Sequence, residues 1–174
     1  MLSLGDIHIL QNKFNKAKVS NENALKLYKL NNNIPGQVSA YGGLGAVYKG
    51  LNQLDKAIAS YEKALELSKL TNNMMGQADI YEGLGSTYLE LDKLNKAEAS
   101  FQRALEFSKL SNIIITQGNA LQGLGRVQMK RLQWQDAKRL LENALAMHKQ
   151  AQAISGQKSD QYYLNQVLSE INQP

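Results

Sequence analysis

The dipeptide Leu-Gly occurs at Leu4-Gly5, Leu44-Gly45, Leu84-Gly85 and Leu124-Gly125, and the 40-residue spacing holds without an insertion or a gap. Residues 36–75 set against 76–115 match at 20 positions. A fixed period of this length means stacked supersecondary units, each too small to bury its own apolar face, so the fold is a one-dimensional array.

Each unit divides into two helical patterns. In 41–51 the bulky residues Tyr41, Leu44, Tyr48 and Leu51 fall three and four apart, which places them on one stripe of a first helix, A. After Asn52-Gln53 a second stripe follows, Leu54, Ala57, Ile58, Tyr61, Ala64, Leu65 and Ser68, with Asp55, Lys56, Glu62, Lys63 and Glu66 outside it. This second helix, B, ends at Thr71-Asn72-Asn73, and so short a link between A and B predicts antiparallel neighbours. Glycine inside a helix costs about 1 kcal/mol relative to alanine, yet helix A carries Gly43 and Gly45, Gly83 and Gly85, Gly123 and Gly125. Close approach of a neighbouring helix offsets that cost. Ala57, Ala97, Ala137, Ala64, Ala104 and Ala144 supply the small residues of helix B, and Tyr48, Tyr88, Tyr61 and Phe101 supply the large ones.

These positions carry a resemblance. Tyr41, Leu44-Gly45, Tyr48, Ala57, Tyr61, Ala64, and again Tyr81, Leu84-Gly85, Tyr88, Ala97, Phe101, Ala104, are similar to the tetratricopeptide repeat pattern. The fourth unit departs from it, with Leu121, Gln128 and Leu141 for the aromatics, and Lys69, Lys109 and Lys149 stand where the family has proline. The period exceeds the family's common one of about 34 residues. It resembles the long-repeat variant of Pins/LGN-type polarity adaptors, kinesin light chains and bacterial regulators, and assigns the extra turns to helix B. The resemblance implies an all-α, right-handed superhelix, an α-solenoid of antiparallel helix pairs with a C-terminal capping helix. Its single domain, 1–174, then comprises a short repeat 1–33, repeats 34–73, 74–113 and 114–153, and the cap 154–174.

The two ends read differently from the middle. Met1 falls at the register of Tyr41, so the chain starts mid-repeat, either as a fragment of a longer array or with a short first helix A, and in both cases Leu2, Leu4, Ile7 and Ile9 are expected to form a poorly covered flank suited to homo-oligomerisation. The cap has Tyr163 and Asn165 at glycine positions, and Gln157, Lys158, Asp160, Gln161, Asn165, Gln166 and Glu170 give it a polar face for water. Ile34, Met74, Ile114 and Ile154 open each helix A and are expected to pin its entry against the preceding helix B. Ile113 and Ile115 are unexplained by the repeat and mark a small exposed apolar patch.

Several function classes are argued against. No apolar run approaches the length of a membrane-spanning helix, and 1–13 lacks the layout of a secretory signal. With no cysteine there is neither a disulfide framework nor a thiolate metal site, which agrees with a cytoplasmic setting. His8 and His148 lie in different units without a ligand partner at metal-binding spacing and read as structural. Gly42, Gly43 and Gly45 follow no strand and so form no nucleotide loop. No nucleophile-base set assembles, so the chain is expected to be no enzyme and to hold no cofactor. The net charge of +5 is split between basic ends (+3 over 1–40, +4 over 121–160) and a neutral middle, and Arg126, Lys130, Lys138 and Arg139 point different ways, which argues against nucleic acid.

What remains is a binding surface. In tetratricopeptide arrays the helices A line a concave wall, and the resemblance places Lys49, Asp79, Glu82, Ser86, Glu90, Asn119, Gln122, Arg126, Met129, Tyr162 and Gln166 there, with Ser39, Gly42 and Ala46. Members that clamp a terminal carboxylate use paired Lys and Asn, where this chain has Ala46, Ser86 and Arg126, so that activity is not expected. The expected function is a protein–protein interaction scaffold holding a partner's peptide in the groove. A basic ligand group then lies near Glu82 and an acidic or amide group near Arg126. The alternatives are a peptide-sensing domain of a larger regulator and a self-associating module.

Overall fold

Helices repeat every twenty residues because the chain turns back at the same kind of residue each time. The computed structural model describes residues 4–172, with side chains from Gln11 onward, and the expectations placed on Leu2, Leu4, Ile7, His8 and Ile9 fall outside those side chains. Among the described residues the elements are α1 (Leu4–Leu30), α2 (Ile34–Gly50), α3 (Leu54–Leu70), α4 (Met74–Glu90), α5 (Leu94–Leu110), α6 (Ile114–Lys130), α7 (Trp134–Gln150) and α8 (Ile154–Ile171). The six helices α2 to α7 are each 17 residues long, so the extra length of the repeat is shared equally between A and B rather than given to B. One further departure is α1, which runs unbroken through Gln11-Asn12-Lys13, where the register of Leu51-Asn52-Gln53 leads one to expect a turn. All three of those residues are exposed, so no packing across a turn there would offset the loss of helical hydrogen bonds.

Every turn is the same hydrogen-bonded device. Asn32, Asn52, Asn72, Asp92, Asn112, Leu132 and Gln152 have positive φ between 48° and 59°. At Asn52 the amide of the next residue, Gln53, donates to Tyr48 O at 2.8 Å, and Asn52 N donates to Lys49 O at 2.9 Å. This is the paired closure that satisfies the last carbonyls of a helix through one left-handed residue. The equivalent pair recurs at each of the other six. Asparagine and aspartate tolerate that conformation, which explains their cadence in the sequence.

The entry to each helix A is fixed by side-chain amides. Asn33 and Asn73 accept from Gly36 N and Gly76 N at 2.9 Å. Gln37, Gln117 and Gln157 donate to the carbonyls of Tyr28, Ser108 and His148, nine residues back in the last turn of the preceding helix. With the entry held this way no apolar pin is needed. Ile34 and Ile114 are only half-buried, and Met74 and Ile154 are exposed, contrary to the expected pinning. Ile115 is exposed and Ile113 half-buried.

The chain divides into two compact units between Gly76 and Gln77, in the first turn of α4. In the first, α2 packs on α1 and α3. A methyl group added at Gly45 would lie 2.7 Å from the Tyr61 ring, and additions at Gly36 and Gly50 would strike Tyr28 and Phe14. In the second unit both Gly85 and Gly123 lie against the ring of Phe101, which is 1% exposed and packs with Leu89, Ala97, Leu124 and Val127. In α7 Leu141 fills the aromatic position and lies against Gly125. The alanines of helix B, Ala57, Ala64, Ala97, Ala104, Ala137 and Ala144, are all wholly buried. Small against large is therefore the packing rule.

Two outcomes follow. Leu132 adopts the left-handed conformation while 69% exposed, so Leu132→Gly removes backbone strain and little packing. It should raise stability by about 1 kcal/mol in urea titration. Phe101→Ala opens a cavity against two glycine backbones and should lower stability of the second unit by about 3–5 kcal/mol in the same measurement.

Candidate functional site

The surface with ligand-binding character lies in the second unit. Leu89 and Glu90 from the end of α4, Arg126, Met129 and Lys130 from α6, Trp134 from the start of α7 and Tyr163 from α8 line a cleft of about 380 Å³. An adjoining depression shares Met129 and Trp134 and continues past Tyr162, Asn165, Gln166, Ser169 and Glu170. Leu89 is 3% exposed and forms part of the buried cluster, while Met129, Trp134 and Tyr163 pack against Ala137, Leu141, Leu164 and Val167. The cleft is thus an apolar recess whose walls are continuous with the core, within the size range of a small ligand or one bulky side chain.

Charge is placed at its rim. The guanidinium of Arg126 sits 5.2 Å from the centroid of the Tyr163 ring, and among the described residues it pairs with no carboxylate. Lys130 is already engaged, its Nζ 3.0 Å from Asp92, and Arg131 pairs with Glu98 at 2.8 Å. Glu90 is exposed. Arg126 is accordingly the cation of this cleft that no carboxylate among the described residues pairs with.

The residues singled out from the sequence separate into three groups. Glu90, Arg126 and Met129 line the cleft, and Tyr162 and Gln166, with Gln166 Nε2 donating to Tyr162 Oη at 2.9 Å, line the depression beside it. Asp79 accepts from Thr116 Oγ1 at 3.0 Å, Ser86 is buried and Glu82 half-buried, and Lys49 belongs to the first unit. Asn119 and Gln122 are turned into a buried polar cluster. Leu89, Lys130, Trp134 and Tyr163 were not expected. The chain's single tryptophan stands where Leu54 and Leu94 open the other helices B, and Tyr163 stands where Gly43, Gly83 and Gly123 stand, so each was marked by departure from the repeat.

The buried cluster corrects two expectations. Asp160 does not face water: it is fully buried, as is His148. His148 Nδ1 lies 2.6 Å from Asp160 Oδ2, its Nε2 lies 3.0 Å from Asn119 Oδ1, and Gln122 Nε2 donates to Asp160 Oδ1 at 2.6 Å. His148 therefore has a carboxylate partner, twelve residues on, which local spacing could not reveal. Both ring nitrogens are occupied and both side chains are closed to solvent, so the pair is arranged to hold helices together and not to meet a substrate. Elsewhere, Glu66 holds the exposed Lys63 charged above its ordinary range through a 2.7 Å hydrogen bond and its own charge, an ordinary helix-surface pair. Among the described residues no helix is long and apolar enough to cross a membrane, and no three metal-ligating side chains converge.

Comparison with known proteins agrees with this architecture. Residues 36–109 match the tetratricopeptide repeat family. No curated protein matches the chain. Among solved structures, BtubC (BKLC) from P. vanneervenii is 18% identical and superposes with a TM-score of 0.72 over 96% of this chain and 76% of that one. MamA, also 18% identical, gives 0.57 over 98% of this chain and 95% of its own. At such identity these two speak for the fold, an all-helical repeat solenoid. The repeated motif at Tyr41 to Ala64 and Tyr81 to Ala104 falls within the matched stretch, so residues 36–109 read as tetratricopeptide repeats.

Proposed function

We propose that the chain is a non-enzymatic interaction scaffold that holds a peptide segment of a partner protein against α6 and α8, acting in the cytoplasm. The family match supports protein–protein interaction as the general role. The observation that carries the specific reading is Arg126, placed over the Tyr163 ring and with no carboxylate partner among the described residues, at the edge of an apolar recess. A ligand that satisfies both features presents a bulky apolar side chain to Leu89, Met129 and Trp134 and a carboxylate to the guanidinium. A basic group further along the peptide completes the complement at Glu82 and Glu90. Anchors of this kind carry most of an interface's energy, and the polar residues around them, Tyr162 and Gln166, exclude water.

Probing an array of immobilised peptides, in which apolar and acidic residues are permuted, tests the reading. Segments with a large apolar residue beside Asp or Glu should be retained, and Arg126→Glu should weaken the best of them about tenfold or more. Rising salt should weaken binding to the wild type more than to the variant. Unchanged affinity in the Glu82→Lys, Arg126→Glu double variant would discard the groove assignment.

A further inference from the structure

We propose that the buried His148–Asp160 pair is the positioning device of the ligand cleft, fixing the register of α8 so that Tyr163 completes the wall. The inference rests on the cleft reading above, and it is carried by separate observations.

The first is a set of matched departures within the chain's own repeat. The residues equivalent to His148 in the two preceding repeats are Ser68 and Ser108, whose hydroxyls donate back to Leu65 O and Leu105 O and so stay within their own helices. The residues equivalent to Asp160 are Ala40, Ile80 and Ala120, all apolar and buried. The position of Gly118 is Val38 and Ala78 in the earlier repeats. In the last repeat and the α8 that follows it all three change together. A methyl at Gly118 would lie 2.6 Å from His148 Nε2, and one at Gly156 would lie 2.6 Å from the ring, so room for the imidazole is cut from both α6 and α8. A large polar side chain, its polar partner and its space thus coincide at one place.

The second is what the pair is joined to. On α6, Asn119, Gln122 and Arg126 share one stripe, and they meet in turn His148, Asp160 and Tyr163. The inner face of α8 otherwise offers Leu164 and Val167, aliphatic groups that pack in several neighbouring rotations. A buried carboxylate has only one place where its oxygens are satisfied, and such a group adds uniqueness of register rather than stability. Tyr163 lies one helical turn beyond Asp160, so register fixed at Asp160 is passed directly to the ring that faces Arg126 and the cleft. Occupancy of the cleft and docking of α8 are therefore coupled, and by reciprocity a bound ligand holds α8 down.

The double variant His148→Ser, Asp160→Ala restores the residues found in the preceding repeats and provides the test. Its helicity by far-ultraviolet circular dichroism should match wild type. Trp134, the single tryptophan, reports the cleft without any ligand, and its quenching by acrylamide should increase in the variant. The probe for the site is 1-anilinonaphthalene-8-sulfonate, an aromatic anion that matches an apolar recess beside a cation. Wild type should bind it saturably with transfer from Trp134, and the double variant about tenfold more weakly. If the double variant loses helicity, Asp160→Asn, which keeps the shape and the contact with Gln122, replaces it and should still increase quenching. A folded variant with wild-type quenching and dye affinity would overturn the positioning role. Failure of wild type to bind the dye, with quenching still raised in the variant, would instead overturn the cleft as a ligand site and leave the positioning of α8 standing.

Discussion

The contact on which this structure depends is a large side chain laid against a helix backbone that has no side chain at that point. Phe101 lies against Gly85 and Gly123, Tyr61 against Gly45, and Leu141 against Gly125. Glycine within a helix loses about 1 kcal/mol to alanine, and a ring seated on it recovers more than that by burying area that an alanine methyl would push away. Because the same exchange recurs in each repeat, helices of equal length can be added one after another, each supplying the knob or the notch its neighbour lacks. The wholly buried alanines of helix B serve the same end from the other side. An array built this way is specified by residue size at a few positions, which leaves the remaining surface free to vary.

Much of this was legible in the sequence because size and period are both local properties. Leu-Gly at fixed spacing, alternating small and aromatic residues and the Asn-rich punctuation identify the paired helices and the backbone turns. What the sequence reading missed arises where backbone hydrogen bonds do work that side chains were expected to do. Met74 and Ile154 are exposed because the paired closure of each turn and amides such as Gln117 and Gln157 already fix the helix entry. The unbroken α1 shows the complementary limit: Asn12 is as compatible with a turn as Asn52, and the difference lies in whether packing rewards the turn, which no single position announces.

The cleft was half legible. Arg126 and Met129 follow from register, since positions on the same stripe of helix A recur every forty residues, and Glu90 lies one turn beyond Ser86 on that helix. Trp134 and Tyr163 do not, because one belongs to helix B and the other occupies a glycine position, outside any pattern of wall residues. Asp160 was misread for a related reason. Polarity predicts exposure on average, and it fails where a second polar group, distant in sequence, waits in the core.

These departures share a logic. Residues that obey the repeat are constrained by packing against their neighbours and cannot also be chosen for a ligand. On the proposed reading, recognition chemistry collects where the repeat is broken, and in the second unit the breaks cluster: Gly118, Arg126, Trp134, His148, Asp160 and Tyr163 fall on three consecutive helices. On α8 the buried face is Leu164 and Val167 beside Asp160. An aliphatic face alone would leave its rotation poorly defined, and a tyrosine meant to stack on Arg126 at 5.2 Å tolerates little slip. A satisfied buried carboxylate beside that tyrosine converts a permissive interface into a selective one, so the divergence that creates the cleft and the polar pair that steadies it belong together.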